Sequence, residues 1–564
     1  MKTDKKITGA EAVIRSLLHE GVDTMFGYPG GAIMPVYDAL YDHSEKLNHI
    51  LVRHEQGAIH AAQGYARVSG KVGVCMATSG PGATNLITGL ADSMIDSTPL
   101  VCITGQVASK LLGTDAFQET DIMSISMPVT KWNIQVTKAE EIPSAFAKAF
   151  FIAKSGRPGP VLIDITKDAQ FESFYFTYEK CSRIRSYFPK PVVDIELLKK
   201  AADLLNEAQK PFLLIGQGII LANAEKELRE FAEKSGVPVA STLLGLGAFP
   251  CSHAQYVGFL GMHGNYGPNL KTNECDVLLA IGMRFDDRVT GDLSRYAKQA
   301  RVIHIDIDAA ELNKNVQVHI AVLADAKEAL VELTQLVKKR NYPEWLNEFK
   351  RCGEMEQEKV IDLRACDKGE IKMAEVVRLL SEKTRGEAVI VTDVGQHQMI
   401  TSRYYRYTQS KCNVTSGGLG TMGFALPAAI GAKLAVPQKT VIAVIGDGGF
   451  QMTVQELGTI MQSKIDLKIV ILNNNFLGMV RQWQQLFFEK RYSFTEMTNP
   501  DFVALARAYG IGSVKVTERE FLENELDKML NHKGPYLLEV VVEKEENVFP
   551  MVPTGASVSE VILE

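Results

Sequence analysis

Short, largely apolar runs alternate along the chain with longer stretches whose apolar positions recur every three or four residues. The runs include Val72–Met76, Leu100–Thr104, Val161–Ile165, Phe212–Ile215, Val277–Ile281, Val302–Ile307, Ala388–Thr392, Val441–Ile445 and Lys468–Leu472. Apolar runs of this length are characteristic of parallel strands buried on both faces. Their alternation with helical patterns predicts an α/β fold of doubly wound parallel sheets with crossover helices. The longest runs, such as Val441–Ile445, are strand-sized, so no membrane span is expected. The opening Met1-Lys-Thr-Asp-Lys-Lys leads into an amphipathic helix pattern rather than the apolar core of a signal peptide.

Two stretches interrupt the alternation. Residues 169–192 are aromatic, polar and proline-flanked, and residues 340–370 are charged and carry Pro343, Gly353 and Gly369. Both are expected to be linkers. They divide the chain into domains at 1–168, 190–340 and 370–550. The outer two share a unit: strand, glycine turn, helix, strand. Residues 83–104, 22 in number, separate Gly82 from Gly105, and residues 449–472, 24 in number, separate Gly448 from Asn473. The similarity suggests duplicated outer domains around a different middle one.

Composition narrows the function classes. The 564 residues are 46% hydrophobic and 23% charged, which excludes a disordered or fibrous chain. The net charge of −6 gives no electrostatic case for nucleic acid or an anionic membrane. An anionic substrate must therefore be held by local cations and backbone dipoles. The eight cysteines (75, 102, 181, 251, 275, 352, 366, 412) form no C-x-x-C pair and lie mostly in apolar runs. They are expected to be buried small hydrophobes of a reducing compartment, and the protein to be a cytoplasmic enzyme.

The candidate chemistry of the third domain starts at Ile445-Gly446-Asp447-Gly448-Gly449-Phe450. A buried strand ends in glycines that let backbone N–H groups approach a phosphate. Asp447 stands at the strand's carboxyl end, where open α/β sheets bind ligands. The next strand ends in Asn473-Asn474-Asn475. One carboxylate and one amide oxygen from adjacent strand ends suit Mg2+ bridging to a diphosphate. Alone, Asp447 also fits a helix N-cap and Asn473–475 a polar loop. Together, at this spacing, they form the thiamine diphosphate signature, GDG followed some two dozen residues later by NN. A rival reading uses Gly418-Leu-Gly420-Thr-Met-Gly423, a literal G-x-G-x-x-G with Asp447 24 residues beyond Gly423. It would make this an NAD-binding domain, but it leaves Asn473–475 and the first domain unexplained.

In the first domain, Arg53-His54-Glu55-Gln56-Gly57 opens a helix that continues through Arg67. Thiamine diphosphate must lose its thiazolium C2 proton, and one carboxyl group on the aminopyrimidine N1′ suffices to activate the 4′-amino group as base. Glu55 is the candidate, although on its own it also fits a first-turn acid that favours the helix dipole.

Longer motifs carry a family resemblance. They are Tyr28-Pro-Gly-Gly-Ala-Ile-Met-Pro-Val-Tyr37, Arg53–Gly57, Thr78-Ser-Gly-Pro-Gly-Ala-Thr-Asn85 and Thr114-Asp-Ala-Phe-Gln-Glu119. Gly156-Arg-Pro-Gly-Pro160, Arg284-Phe-Asp-Asp-Arg-Val-Thr-Gly291 and Gly417-Gly-Leu-Gly-Thr-Met-Gly423 extend the set. The chain resembles the large catalytic subunits of acetolactate synthase (acetohydroxyacid synthase), thiamine-diphosphate enzymes, from about residue 7 to 555. The resemblance implies that Glu55 partners N1′ and that Gly31, Gln118 and Lys167 belong to the catalytic set. It implies that Gly420 lies under the aminopyrimidine, that Met422 supports the bent cofactor, and that Gly446, Gly448 and Gly449 flank the diphosphate. Asp447, Asn474 and the main-chain oxygen of Phe476 would bind Mg2+. Many members have an acidic residue where this chain has Asn475-Phe476, a change that a main-chain ligand tolerates.

The middle domain is less explicit. Gly216-Gln-Gly218 and Gly261-Met-His-Gly264 are glycine turns, and His304-Ile-Asp306-Ile-Asp308 places carboxylates at a strand end. By resemblance this domain holds a redox-silent FAD at Arg157, Gly216, Gly218, Thr242, Leu243, Gly261, Met262, His263, Gly264, Gly282, Arg284, Asp306 and Asp325. Arg284 could take a substrate carboxylate in bidentate fashion. Met479 and Trp483 have the spacing of core packing, but in the family the matching Trp lines the acceptor pocket and favours 2-oxobutyrate over a second pyruvate. The implied reaction decarboxylates pyruvate and joins its two-carbon fragment to a second 2-oxo acid. The products are 2-acetolactate or 2-aceto-2-hydroxybutyrate, precursors of branched-chain amino acids. The alternative, pyruvate oxidase, shares the fold and FAD. The resemblance also implies a homo-oligomer with active sites between chains and a small regulatory subunit.

Overall fold

A computed structural model describes residues 5–364 and 369–564. It contains three six-stranded sheets, each wholly parallel. The first holds Thr24–Gly27 (β1), Asn48–Leu51 (β2), Gly73–Ala77 (β3), Leu100–Gln106 (β4), Trp132–Val136 (β5) and Pro160–Thr166 (β6), in the order β2-β1-β3-β4-β6-β5. The second holds Pro211–Ile215 (β7), Val239–Ser241 (β8), Tyr256–Phe259 (β9), Val277–Ile281 (β10), Arg301–Asp306 (β11) and Ile320–Leu323 (β12), in the order β9-β8-β7-β10-β11-β12. The third holds Val389–Thr392 (β13), Asn413–Thr415 (β14), Val441–Gly446 (β15), Lys468–Asn473 (β16), Gly512–Val516 (β17) and Tyr536–Val541 (β18), in the order β14-β13-β15-β16-β18-β17.

The outer sheets thus share one strand order, as their common unit suggests. The middle sheet has the order of doubly wound dinucleotide-binding domains, with its switch point between β7 and β10. Every apolar run singled out in the sequence is a strand within two residues of its ends. The central strands β3, β4, β6, β10, β15 and β16 are buried along their whole length. The G-x-G-x-x-G segment leaves the three-residue edge strand β14, not a central strand as a dinucleotide fingerprint requires.

The outer domains are fused. The Glu55–Ser69 helix crosses the Ala425–Ala435 helix so closely that a Cβ on Gly64 would lie 1.9 Å from the Ala428 carbonyl oxygen. A Cβ on Gly431 would lie 1.8 Å from that of Ala61, so this crossing requires glycine on both helices. One hydrophobic core runs through the crossing from β3 and β4 to β13, β15 and β16, whereas the middle sheet has a core of its own.

The stretch 169–192 is mostly irregular, as a linker should be. The stretch 340–370 is not: Pro343–Glu356 is a helix. Pro343 occupies its first turn, where a missing N–H costs nothing, and Gly353 faces open space. Trp345, Phe349 and Cys352 form a buried stripe at i, i+4 and i+7, and Trp345 donates its indole N–H to the Pro211 carbonyl (2.9 Å). Charged residues on the outer face concealed that stripe. At the helix end, Glu356 pairs with Arg403 from the Gln396–Tyr404 helix and accepts from Asn265 (2.8 Å) and the Tyr266 N–H (2.6 Å). Arg403 also donates to the His263 and Gly264 carbonyls (3.1 and 3.0 Å). This buried cluster joins the middle domain to the third.

Cys75, Cys102, Cys275, Cys352 and Cys412 are buried, Cys181 and Cys251 are half-buried, and Cys366 lies outside the described residues. Among the described residues, no helix is long and apolar enough to cross a membrane.

Candidate active site

At the carboxyl ends of β15 and β16, the sequence places Asp447 and Asn474 on adjacent strands, both buried. Gly446 is the N-cap of the Asp447–Met452 helix and Asp447 is its first residue, with no side-chain capping hydrogen bond, so the N-cap reading of Asp447 does not hold. Burial pushes its carboxyl up to about 6, and among the described residues no ion pair offsets it. Among the described residues, the Asn499 amide is its one side-chain partner (2.7 Å). That same amide reaches the side-chain oxygens of Asn473 and Asn475 (3.0 Å each) and ties the loop together. Asn473 in turn donates to buried Glu539 on β18 (2.8 Å). Asn475 has a left-handed backbone (φ 55°), and the N–H of Phe476 donates to the Asn474 side-chain oxygen (3.2 Å). An uncompensated buried carboxylate beside neutral amide oxygens is a donor set suited to a hard divalent cation. Asn499 lies far along the chain in an ordinary polar loop, and nothing in the sequence marks it.

The glycine loop between β14 and the Ala425–Ala435 helix stands beside this pair. Gly420 has φ +70°, and Gly423, at φ +85°, donates its N–H to Asp393 (2.9 Å). Asp393 is fully buried and also accepts from Ala425 N–H (3.0 Å), which fixes the loop's far end. Met422 lies next to Gly448, 3.8 Å from where a Cβ there would be.

One cavity of about 1170 Å3 joins this loop to the middle sheet. That exceeds the ~300–1,000 Å3 of an ordinary small-molecule site. Of the predicted residues, Gly420, Met422, Met479 and Trp483 line it from the third domain. Gly218, Thr242, Leu243, Gly261, Met262, His263, Gly282, Arg284, Asp306 and Asp325 line it from the middle domain, and Arg157 from the first. Gly216 and Gly264 stand just behind the wall; a Cβ on Gly216 would meet the Gly282 carbonyl at 2.2 Å. The Gly218 N–H donates to the Gly282 carbonyl (2.9 Å), which closes the turn between β7 and β10 at the switch point. Arg157 is held by Asp308 (3.1 Å) and Glu311 (2.7 Å), and Arg284 lies 3.8 Å from Asp286. Burial pushes the Asp306 carboxyl up to about 6. Asp325 caps the Ala326–Leu336 helix by accepting from Lys327 and Glu328 N–H groups. Trp483 is half-buried, with its ring 5.1 Å from that of Phe487, and faces the cavity rather than the core.

The first-domain candidates gather elsewhere. Glu55 begins its helix behind the N-cap His54 and accepts from the Asn85 amide (2.9 Å). A Cβ on Gly82 would lie 3.3 Å from the Glu55 carboxylate, and one on Gly80 would lie 2.8 Å from the Gln118 carbonyl. Gln118 has a left-handed backbone, φ 59°. Gly30, beside Gly31, packs on Thr78. Glu55, Gly31 and Gln118 therefore surround one turn, Thr78–Gly82, after β3. Gly31 faces open space, and Lys167 stands exposed at the end of β6. None of the four lines the cavity. The surface beside them exposes Tyr28, Met34, Leu111 and Phe117, the last 89% exposed.

The chain matches three family descriptions in order. Residues 7–125 match the N-terminal TPP binding domain of thiamine pyrophosphate enzymes, 198–333 the central domain, and 393–540 the C-terminal TPP binding domain. The last of these overturns the NAD-binding reading of Gly418–Gly423. The chain is 49% identical over 563 residues to the acetolactate synthase isozyme 2 large subunit of Escherichia coli (strain K12), covering 99% of each chain. It is 45% identical over 564 residues to the acetolactate synthase large subunit of Lactococcus lactis subsp. lactis (strain IL1403), covering 100% of this chain and 97% of that one. It is 46% identical over 572 residues to the acetolactate synthase large subunit of Corynebacterium glutamicum, covering 99% and 90%.

Proposed function

Because the chain belongs to the acetolactate synthase large subunits, within the thiamine pyrophosphate enzymes, we propose a site in which its second and third domains hold the cofactors and a second copy of its first domain completes the catalytic set. Its reaction is the thiamine-diphosphate-dependent condensation of pyruvate that feeds branched-chain amino-acid biosynthesis. Pyruvate oxidase is not favoured.

The observation that carries the site assignment is the buried, uncompensated Asp447 beside Asn474 at adjacent strand ends. Asp447, Asn474 and the main-chain oxygen of Phe476 hold Mg2+, with Gly446, Gly448 and Gly449 giving the diphosphate close access to backbone N–H groups. Bound there, thiamine diphosphate supplies the carbon nucleophile and the electron sink for decarboxylation. Gly420 and Met422 would hold the aminopyrimidine end of the cofactor. Glu55 shares a proton with the pyrimidine nitrogen and so tunes the neighbouring amine as base. Asn85 keeps the Glu55 carboxylate aimed. Arg284 holds a substrate carboxylate, and Met479 and Trp483 wall the acceptor position, where the extra methylene of 2-oxobutyrate adds apolar contact. FAD fits the middle-domain part of the cavity, its strand order and its close Gly218–Gly282 turn, and takes no net electrons because the reaction transfers none.

Glu55, Gly31, Gln118 and Lys167 lie on an open face bordered by exposed apolar side chains. This supports a homo-oligomer in which that face meets the metal loop of another copy. A small regulatory subunit and a cytoplasmic setting complete the proposal. Acid conversion of the product to acetoin tests it, assayed with pyruvate, thiamine diphosphate, Mg2+ and FAD. Colour that depends on thiamine diphosphate and Mg2+ is expected. Acetate formed with reduction of an electron acceptor, and no acetoin, would overturn it.

A further inference from the structure

Two buried carboxylates are not used by this scheme. Asp92 lies in the last turn of the Ile87–Ile95 helix and Asp96 caps that helix; both are at most 1% exposed. Negative charge at a helix carboxyl end opposes the macrodipole, and burial withholds solvation, so helix formation does not explain either residue. Both point across the domain boundary at the glycine loop. Asp96 accepts the N–H groups of Gly417 (2.8 Å) and Gly418 (2.7 Å), one on each oxygen. Asp92 accepts the hydroxyls of Ser416 and Thr421 on a single oxygen, Oδ1, the latter at 3.1 Å. The Ser416 hydroxyl then accepts the Thr421 N–H (2.8 Å) and closes the base of the loop. Arg67 supports the arrangement by pairing with Asp96 (2.9 Å) and donating to the Thr415 carbonyl. The other Asp92 oxygen, Oδ2, is buried and has no partner among the described residues.

The contacts are tight. A Cβ on Gly418 would lie 2.9 Å from the Asp96 carboxylate, so the loop approaches the acid as only glycine can. On its opposite side, the same loop turns Gly418, Leu419 and Gly420 outward into the large cavity. We propose that Asp92 and Asp96 are positioning residues: a clamp from the first domain that sets the height of the Ser416–Met422 loop under the cofactor of the third. This rests on the assignment of Gly420 and Met422 to thiamine diphosphate. Within one chain, the first domain then acts on the cofactor site through the loop, while its Glu55 face is left for a second copy.

Geometry, not charge, is what the clamp needs at Asp92. An Asn at that position keeps the accepting oxygen and places its amide where Oδ2 has no partner. An Asn at position 96 cannot accept two N–H groups on opposite atoms. The test uses the FAD-loaded full-length protein, titrated calorimetrically with thiamine diphosphate at saturating Mg2+. Asp96→Asn and Asp92→Ala are expected to bind the cofactor roughly ten- to hundredfold more weakly, because hydrogen bonds that hold the loop are lost. Asp92→Asn should restore near-wild-type affinity. FAD retention should stay close to wild type throughout, and so should the melting temperature of the thiamine-free Asp92 variants; Asp96→Asn, which also leaves the buried Arg67 unpaired, should melt lower. Wild-type affinity in Asp96→Asn and Asp92→Ala would overturn the clamp. So would a loss in Asp92→Asn equal to that in Asp92→Ala, or, in the Asp92 variants, a melting temperature that falls in step with affinity, which would reduce the pair to domain glue. Failure of the wild type itself to bind thiamine diphosphate would instead remove the cofactor assignment, and the clamp's role with it.

Discussion

The first and third domains share a strand order and are put to opposite use. In the third, the groups at the strand ends are tied to one another: buried Asp447 and Asn473 and half-buried Asn475 converge on Asn499. In the first, Glu55, Gly31 and Gln118 converge on the turn after β3 but face an open surface. The sixth strands make the same point. Asp164 on β6 is satisfied by neutral donors, Thr104, Gln106 and Gln135, whereas Glu539 on β18 holds Asn473 and so reaches the Asn473–Asn475 loop. On the proposed reading, a duplicated scaffold provides one half that is finished within the chain and one that needs another chain.

The sharpest way to break this division is to remove the finished half. Asp447→Ala should abolish saturable binding of thiamine diphosphate, because it removes the one carboxylate proposed to hold the metal. Titrating the cofactor with and without Mg2+ checks it, and equal affinity in both conditions for the wild type would sink the metal assignment. Glu55→Gln should leave cofactor binding intact and slow C2 proton exchange by about 10²–10⁴-fold. Exchange followed by NMR near the wild-type rate would remove Glu55 from its role. Trp483→Leu should shift acceptor choice towards pyruvate, within the ~10–200-fold that one methylene allows. Competition between pyruvate and 2-oxobutyrate measures this; an unchanged product ratio would return Trp483 to packing alone.

The smallest effect concerns stability. Burial raises the Asp164 carboxyl to about 6, above its unfolded value near 3.8. A raised pKa favours the fold below the unfolded value, and that contribution is lost as pH rises through about 6. Asp164→Asn should therefore gain stability relative to wild type between pH 4 and pH 7, by on the order of 2 kcal/mol. Urea unfolding at the two pH values reads the difference, and a gap that does not change with pH would contradict it.

The strands were legible because each is a short apolar run, and a parallel strand buried on both faces has no polar alternation to confuse it. The Asp447–Asn474 pair was legible because its residues lie at adjacent strand ends and so keep a fixed spacing in sequence. The Pro343–Glu356 helix was missed because Pro343 and Gly353 signal a break, while the packing stripe is only three residues, Trp345, Phe349 and Cys352. Asn499, Asp92 and Asp96 were invisible for another reason. Each acts across a long sequence separation on a loop of another element, and an acid at a helix end reads as an ordinary solvated residue until its partners are seen.

The central claim is that the active site is completed by a second copy, and subunit complementation tests it directly. Glu55→Gln and Asp447→Ala proteins, each inactive alone, are mixed in equal amounts under conditions that allow subunit exchange, and acetolactate formation is assayed. In a hybrid dimer, the intact Glu55 of one subunit faces the intact Asp447 of the other at one of the two sites. Activity should then recover to roughly a quarter of wild type after random exchange in a twofold dimer. If exchange is demonstrated and no activity returns, Glu55 and Asp447 serve the same site from the same chain, and the account is wrong.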